Sequence, residues 1–159
     1  MSNGGYDTAQ ICLNGHFITG SCVSSPEFKK NFCDKCGAST IDSCQKCKTP
    51  IRGYYNGNIS IAPFSVPSFC YACGQSYPWT EAKIKAAKDL ADELDKLKPD
   101  EKEALKKSID DIIRDTPQTQ VAAIRIKKLM VKAGAEAATF FRQILVDIAS
   151  EAVKKQIWG

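Results

Sequence analysis

An α+β fold is what this sequence predicts, with a small β module over residues 1–79 and a helical domain over residues 80–159. Three observations carry that division. All eight cysteines fall between Cys12 and Cys73. Turn-forming Gly, Pro, Ser and Asn break every apolar run before Trp79. After Trp79, apolar residues recur at three- and four-residue steps, which is helical spacing.

The β-prone runs of the first half are short: Ala9–Leu13, His16–Thr19 and Ile59–Ile61. Asn14-Gly15, Asn56-Gly57 and several prolines supply the turns between such runs. In the second half, Thr80 is an N-cap for a first helix, with Glu81 in its first turn. Ile84, Ala87, Leu90, Ala91, Leu94 and Leu97 form its stripe, and Pro99 stops it. A second helix starts near Pro99 and carries Leu105, Ile109, Ile112 and Ile113 inward. Thr116-Pro117 opens a long helical stretch to about Ile157, which Gly134 can kink or split. Its apolar face holds Val121, Ile124, Met130, Ala137, Phe140, Phe141, Leu145, Ile148 and Val153. The expected arrangement is a helical hairpin or three-helix unit.

Bulk properties narrow the class. The 159 residues are 43% hydrophobic and 25% charged, the values of a globular protein. Net charge is +4, but it is spread evenly: residues 1–78 carry six Lys or Arg and four Asp or Glu, so neither half is a basic arm. No run approaches the ~20 apolar residues of a membrane span, and the polar start has no export-signal pattern. Ser2 rules out N-myristoylation. The expected location is the cytoplasm, where paired cysteines point to metal more than to disulfides.

Four ligand pairs stand in order: Cys12-x-x-x-His16, Cys33-x-x-Cys36, Cys44-x-x-Cys47 and Cys70-x-x-Cys73. The spacing has a chemical reason. Zinc takes a tetrahedron of thiolate and imidazole ligands, and two or three intervening residues form a turn that aims both side chains at one ion. A glycine after the second cysteine, as at Gly37 and Gly74, lets the backbone fold back. Two structural Zn²⁺ ions are therefore expected. Sequential pairing puts Cys12, His16, Cys33 and Cys36 on one ion and Cys44, Cys47, Cys70 and Cys73 on the other, making two zinc ribbons in tandem. A cross-braced arrangement would join the first pair to the third and the second to the fourth. The seven residues between Cys36 and Cys44 suit a hinge and favour the sequential scheme. Cys22 has no near partner and is left out, although it could stand in for His16.

Such sites are closed. A catalytic zinc usually keeps an open position, and four protein ligands leave none. There is no HExxH, deaminase, P-loop or GxGxxG pattern, and His16 is the chain's lone histidine. The expectation is a non-enzymatic zinc-binding adaptor whose helices self-associate or dock a protein partner. The alternative is a nucleic-acid-binding regulator. Lys29, Lys30, Lys35, Lys46, Lys48 and Arg52 lie near the knuckles, interleaved with Tyr54, Tyr55, Phe69, Tyr71 and Tyr77. Two zinc ions and seven ligand thiolates would move the first half from +2 to about −1, which weakens that alternative. A membrane-surface role for the last helix ranks lower, because Asp147 and Glu151 oppose Lys154 and Lys155.

The strings AQICLNGHFIT, FCDKCGAST, CQKCKTPIRGYY, FCYACGQSYPWTE and IRDTPQT, in this order, span nearly the whole chain. In them the sequence resembles a bacterial family of uncharacterised proteins, catalogued as a domain of unknown function, with zinc-ribbon knuckles before a helical region. The resemblance implies a bacterial, cytoplasmic zinc protein with Cys12, His16 and the three C-x-x-C pairs as ligands. It supplies no activity.

Overall fold

The structure is a computed structural model describing residues 5–57 and 63–158. The β-prone run Ile59–Ile61 lies outside the described residues. Five short strands come first: β1 (Tyr6–Thr8), β2 (Gln10–Cys12), β3 (Phe17–Thr19), β4 (Thr40–Ile41) and β5 (Arg52–Tyr55). Five helices follow: α1 (Pro78–Asp92), α2 (Pro99–Ile112), α3 (Thr119–Ala133), α4 (Ala135–Leu145) and α5 (Glu151–Trp158). The class is α+β. The chain divides into two units, Met1–Glu81 and Ala82–Gly159.

In the first unit, β3, β2 and β4 form one antiparallel sheet in that order, and β1 pairs antiparallel with β5 in another. Asn14-Gly15 turns the chain from β2 into β3. Gly15 has φ +90°, and a Cβ there would meet the Trp79 Cβ at 2.9 Å. That close approach is possible because Trp79 is the centre of the small core, with Ala9, Ile11, Ile51 and Tyr77 around it. Tyr77 stacks on Trp79 at 4.6 Å, and the indole N–H donates to the Pro67 carbonyl at 2.8 Å. Cys44 and Cys70 belong to the same core, so the Cys44–Cys73 sulfur cluster and the apolar packing are one structure.

Two further features shape this unit. The Asp7 carboxylate is buried, yet it accepts from the backbone N–H groups of Thr8, Val23 and Ser24 and from the Ser24 hydroxyl at 2.6–3.1 Å. Burial alone would raise its pKa, but these donors outweigh it and hold the carboxyl below its usual range. The second feature is a backbone crossing. Tyr54 N–H donates to the Gly20 carbonyl at 2.9 Å, and a Cβ on Gly53 would lie 2.2 Å from that same oxygen.

The helical unit differs from the sequence expectation in number and phase. Helix α1 begins at Pro78, so Thr80 is not its cap. The Thr80 hydroxyl is buried and donates to the Ser68 carbonyl at 2.8 Å. Helix α1 ends at Asp92, well before Pro99, and turns carry the chain through Leu94 to the buried Leu97. Helix α3 starts at Thr119, because the Thr116 hydroxyl and carbonyl accept from Gln118 and Thr119 N–H in a preceding turn. Gly134, with φ +106°, separates α3 from α4. The expected hairpin or three-helix unit is thus five helices among the described residues.

Helix α3 packs against α2, α4 and α5. It buries Ala122, Ala123, Ile126 and Met130, whereas Val121 and Ile124, expected inside, are exposed, as is Phe140 on α4. Small alanines allow α2 to come close, and the branched residues one position away are turned outward. Phe141, Leu145, Ile148 and Val153 are buried as their spacing requires.

Candidate metal centre

The three C-x-x-C segments fold alike. In each, the first cysteine N–H donates to a carbonyl five residues on: Cys33 to Ala38, Cys44 to Thr49 and Cys70 to Gln75, at 2.8–2.9 Å. The residue after the second cysteine donates back to the first cysteine's carbonyl at 2.8–2.9 Å. Isolated bridges Phe32–Ser39, Ser43–Pro50 and Phe69–Ser76 close each loop in the same register. The residue after the second cysteine is left-handed in all three: Gly37 at φ +73°, Gly74 at +75° and Lys48 at +65°. The fourth segment uses a different turn. Gly15 N–H donates to the Cys12 carbonyl at 2.9 Å, and His16 N–H donates to Cys12 Sγ at 3.3 Å.

These loops bring the eight residues into two groups. Cys12, His16, Cys33 and Cys36 form one, and Cys44, Cys47, Cys70 and Cys73 the other, with all donor atoms of a group within 4.8 Å of one another. The grouping is sequential and not cross-braced. Strand β4, paired with β2 at Ile11–Ile41 and Cys12–Thr40, explains why: it ties the first two knuckles together before the third begins.

Three edges of the first group and two of the second have the size a tetrahedral cation demands. Two sulfurs at about 2.3 Å from such an ion lie about 3.8 Å apart, and a sulfur and an imidazole nitrogen about 3.6 Å apart. In the first group, Cys12 Sγ is 3.7 Å from Cys36 Sγ and 3.4 Å from His16 Nδ1, and Cys33 Sγ is 3.5 Å from the same nitrogen. In the second, Cys44–Cys73 and Cys47–Cys70 are 3.7 and 3.6 Å apart. Disulfide sulfurs would be at about 2.05 Å. Both donor sets therefore fit a metal ion.

The surroundings of Cys36 and Cys47 favour thiolate. Asn14 donates its side-chain amide to Cys36 Sγ at 3.3 Å and, with the Ala38 N–H, brings the Cys36 thiol down to about 6. The Thr49 hydroxyl, 3.2 Å from Cys47 Sγ, and the Thr49 N–H bring Cys47 to about 6. Cys73 is the opposite case. The Gln75 N–H pulls its thiol down, but desolvation and the crowd of Cys47, Cys44 and Cys70 outweigh that and push it up to about 11. Thiolates crowded in this way are donors whose negative charge a bound cation would balance.

The other sequence candidates scatter. Cys22 is buried in the loop held by Asp7 and joins neither group. Tyr77 is in the core, whereas Tyr54, Tyr55 and Tyr71 are exposed. Lys29 pairs with Asp42 at 3.1 Å and Lys30 with Asp34 at 2.8 Å, so two of the knuckle lysines are committed. Asn14, read in the sequence only as a turn residue, and Thr49 both contact ligand sulfurs. The signal for Thr49 was its position two after a ligand, where its hydroxyl can turn back.

Two closed four-donor groups, each built from a pair of knuckles, define the class: a double-knuckle protein able to hold two metal ions. A family model matches residues 5–157, and the chain belongs to that family, described as an uncharacterized protein conserved in bacteria (DUF2321). No curated protein and no solved structure matches the chain. Among the described residues, no helix is long and apolar enough to cross a membrane.

Proposed function

We propose that the chain is a non-enzymatic zinc-binding adaptor of the bacterial cytoplasm. Two structural Zn²⁺ ions, held by Cys12, His16, Cys33 and Cys36 and by Cys44, Cys47, Cys70 and Cys73, make the first unit a rigid platform, and the helical unit engages a protein partner or a second copy. The observation that carries this is the tetrahedral size of both donor groups, with four protein donors on each. Four donors saturate the coordination of zinc and leave no vertex for a substrate or an activated water. Zinc also suits a core this small, because binding free energy then serves as folding free energy. Elemental analysis of the purified chain tests the proposal. Two zinc ions per chain are expected, with no substrate-dependent turnover. Substoichiometric metal, or the visible absorption of iron–thiolate sites, would count against it.

A nucleic-acid-binding regulator is a second reading, and one observation favours it. Arg52 on β5 lies over the rings of Tyr6 and Tyr71 at 4.8 and 4.0 Å, beside the exposed Tyr55. Aromatic faces with a guanidinium are what stack single-stranded bases. Binding of a labelled single-stranded oligonucleotide that weakens steeply with salt is the expected result on this reading. No binding at low salt removes it.

A further inference from the structure

Helix α3 is the cationic element of the helical unit. Over Thr119–Ala133 it carries Arg125, Lys127, Lys128 and Lys132 and no Asp or Glu. Its packed side is made of Ala122, Ala123, Ile126 and Met130. On the opposite side, Val121, Ile124, Lys128 and Val131 follow one another at steps of three, four and three. That is the spacing of a seam built to meet another helix. The seam is open: Val121 is 50%, Ile124 47% and Val131 81% exposed. Beside Val131 runs a groove of about 330 Å³ lined by Lys127, Met130, Ala135, Ala138 and Trp158.

Charge identifies the occupant. Lys132 is tied to Glu101 at 2.6 Å and Arg125 donates to Ser108 at 3.3 Å. Lys127 and Lys128 have no ion-pair partner among the described residues, whereas Lys83, Lys85, Lys88 and Lys154 are all paired. A second copy brought to this seam through its own α3 would set Arg125, Lys127 and Lys132 against their own kind, which is how helices reject self-pairing. A lipid surface takes protruding aromatic and long apolar side chains. Here the seam is short, branched and next to a concavity, which suits the anchor side chain of a helix in a groove.

We propose that the open face of α3 is a docking surface for an amphipathic helix of a partner protein, with its apolar residues on Val121, Ile124 and Val131 and its acidic residues on Lys127, at the edge of the seam, and Lys128, within it. This rests on the adaptor reading of the helical unit and gives it a partner chemistry. The test uses the full chain with its metal content measured. It is titrated with a fluorescent helical peptide of heptads having Leu in the seam and Glu on the flanks, and with the same peptide carrying Lys in place of Glu. The expected result is one Glu peptide per chain, weakened by salt, with the Lys peptide at least about tenfold weaker. Ile124→Asp and Val131→Asp should each weaken the Glu peptide about tenfold, and Lys127→Glu with Lys128→Glu should reverse the preference between peptides.

Equal binding of both peptides, no binding of either, or indifference to Ile124→Asp and Val131→Asp overturns the proposal. So does a dimer that Ile124→Asp splits, which would make the occupant a second copy. Binding to phosphatidylserine vesicles with no binding of the Glu peptide would make it a membrane. If a seam variant fails to fold, as circular dichroism would show, the choice between peptides by the unaltered chain still decides. Two zinc ions with no peptide preference sink the α3 assignment alone, while missing metal sinks the platform.

Discussion

Lys48→Gly should stabilise this protein. The residue after the second cysteine of each C-x-x-C loop is left-handed, and two of the three are glycine: Gly37 at φ +73° and Gly74 at +75°, against Lys48 at +65°. An L side chain in that region costs about 1–2 kcal/mol. Removing it recovers that strain but loosens the unfolded chain, which offsets about 0.4–1 kcal/mol. The net gain is about 0.7 kcal/mol, since Lys48 is exposed and its backbone bond to the Cys44 carbonyl, 2.9 Å, survives the change. Gly74→Ala is the mirror experiment. No heavy atom lies within 4 Å of a Cβ built there, so backbone conformation is the whole effect, and a loss of about 0.7 kcal/mol is expected. Lys48→Asn separates charge from conformation, because asparagine tolerates positive φ. Urea unfolding in buffered free zinc reads all three, the buffer being needed because ligand binding shifts apparent stability. A Lys48→Gly chain no more stable than the parent, alongside a destabilised Gly74→Ala chain, would refute the reasoning.

Gly53→Ala should be far worse. Its Cβ would stand 2.2 Å from the Gly20 carbonyl, a backbone atom that cannot step aside, so a loss of about 3 kcal/mol or more is expected in the same urea assay. Asp7→Asn should cost about 2 kcal/mol at neutral pH, because the amide cannot serve all four donors that the carboxylate serves. Since the Asp7 pKa is lowered in the fold, its contribution is full above the unfolded value near 3.9 and disappears as pH falls through the lower folded value; parent and variant should converge under acid. Chelation should abolish the ordered environment of the buried Trp79, seen by near-ultraviolet circular dichroism, because Cys44 and Cys70 are part of its core. The helical far-ultraviolet signal should largely remain, and a chain whose Trp79 signal survives full metal removal would show that the sulfurs pack without a cation.

The donor groups were legible because metal chemistry imposes local spacing: Cys33 and Cys36 must share a turn, whatever surrounds them. Sequential pairing was legible only as a preference, and β4 decides it through two residues, Thr40 and Ile41, too short to carry a strand signal. Strand β5 was hidden because its register comes from contact with Tyr6–Thr8 and not from its own alternation. Helix α1 starts two residues before the expected cap, Thr80. Pro78 suits the first helical position because it has no N–H to leave unpaired, and Thr80 uses its hydroxyl on Ser68. In α3 the apolar residues encircle the helix, so periodicity admits two phases. The one adopted buries Ala122 and Ala123, where the smallest side chains permit the tightest helix contact.

Strand β4 has a bearing on how the protein matures. It follows the knuckle of Cys36, pairs alongside β2 at Ile11 and Cys12, and delivers the chain to Cys44. Ile11, one residue before Cys12, sits in the same packed nucleus as Cys44 and Cys70. A cation captured by the later quartet would therefore immobilise the neighbour of the earlier one, so that vacancy and occupancy of the two would travel together. A chain short of metal would then be either empty or fully loaded, with few copies in between.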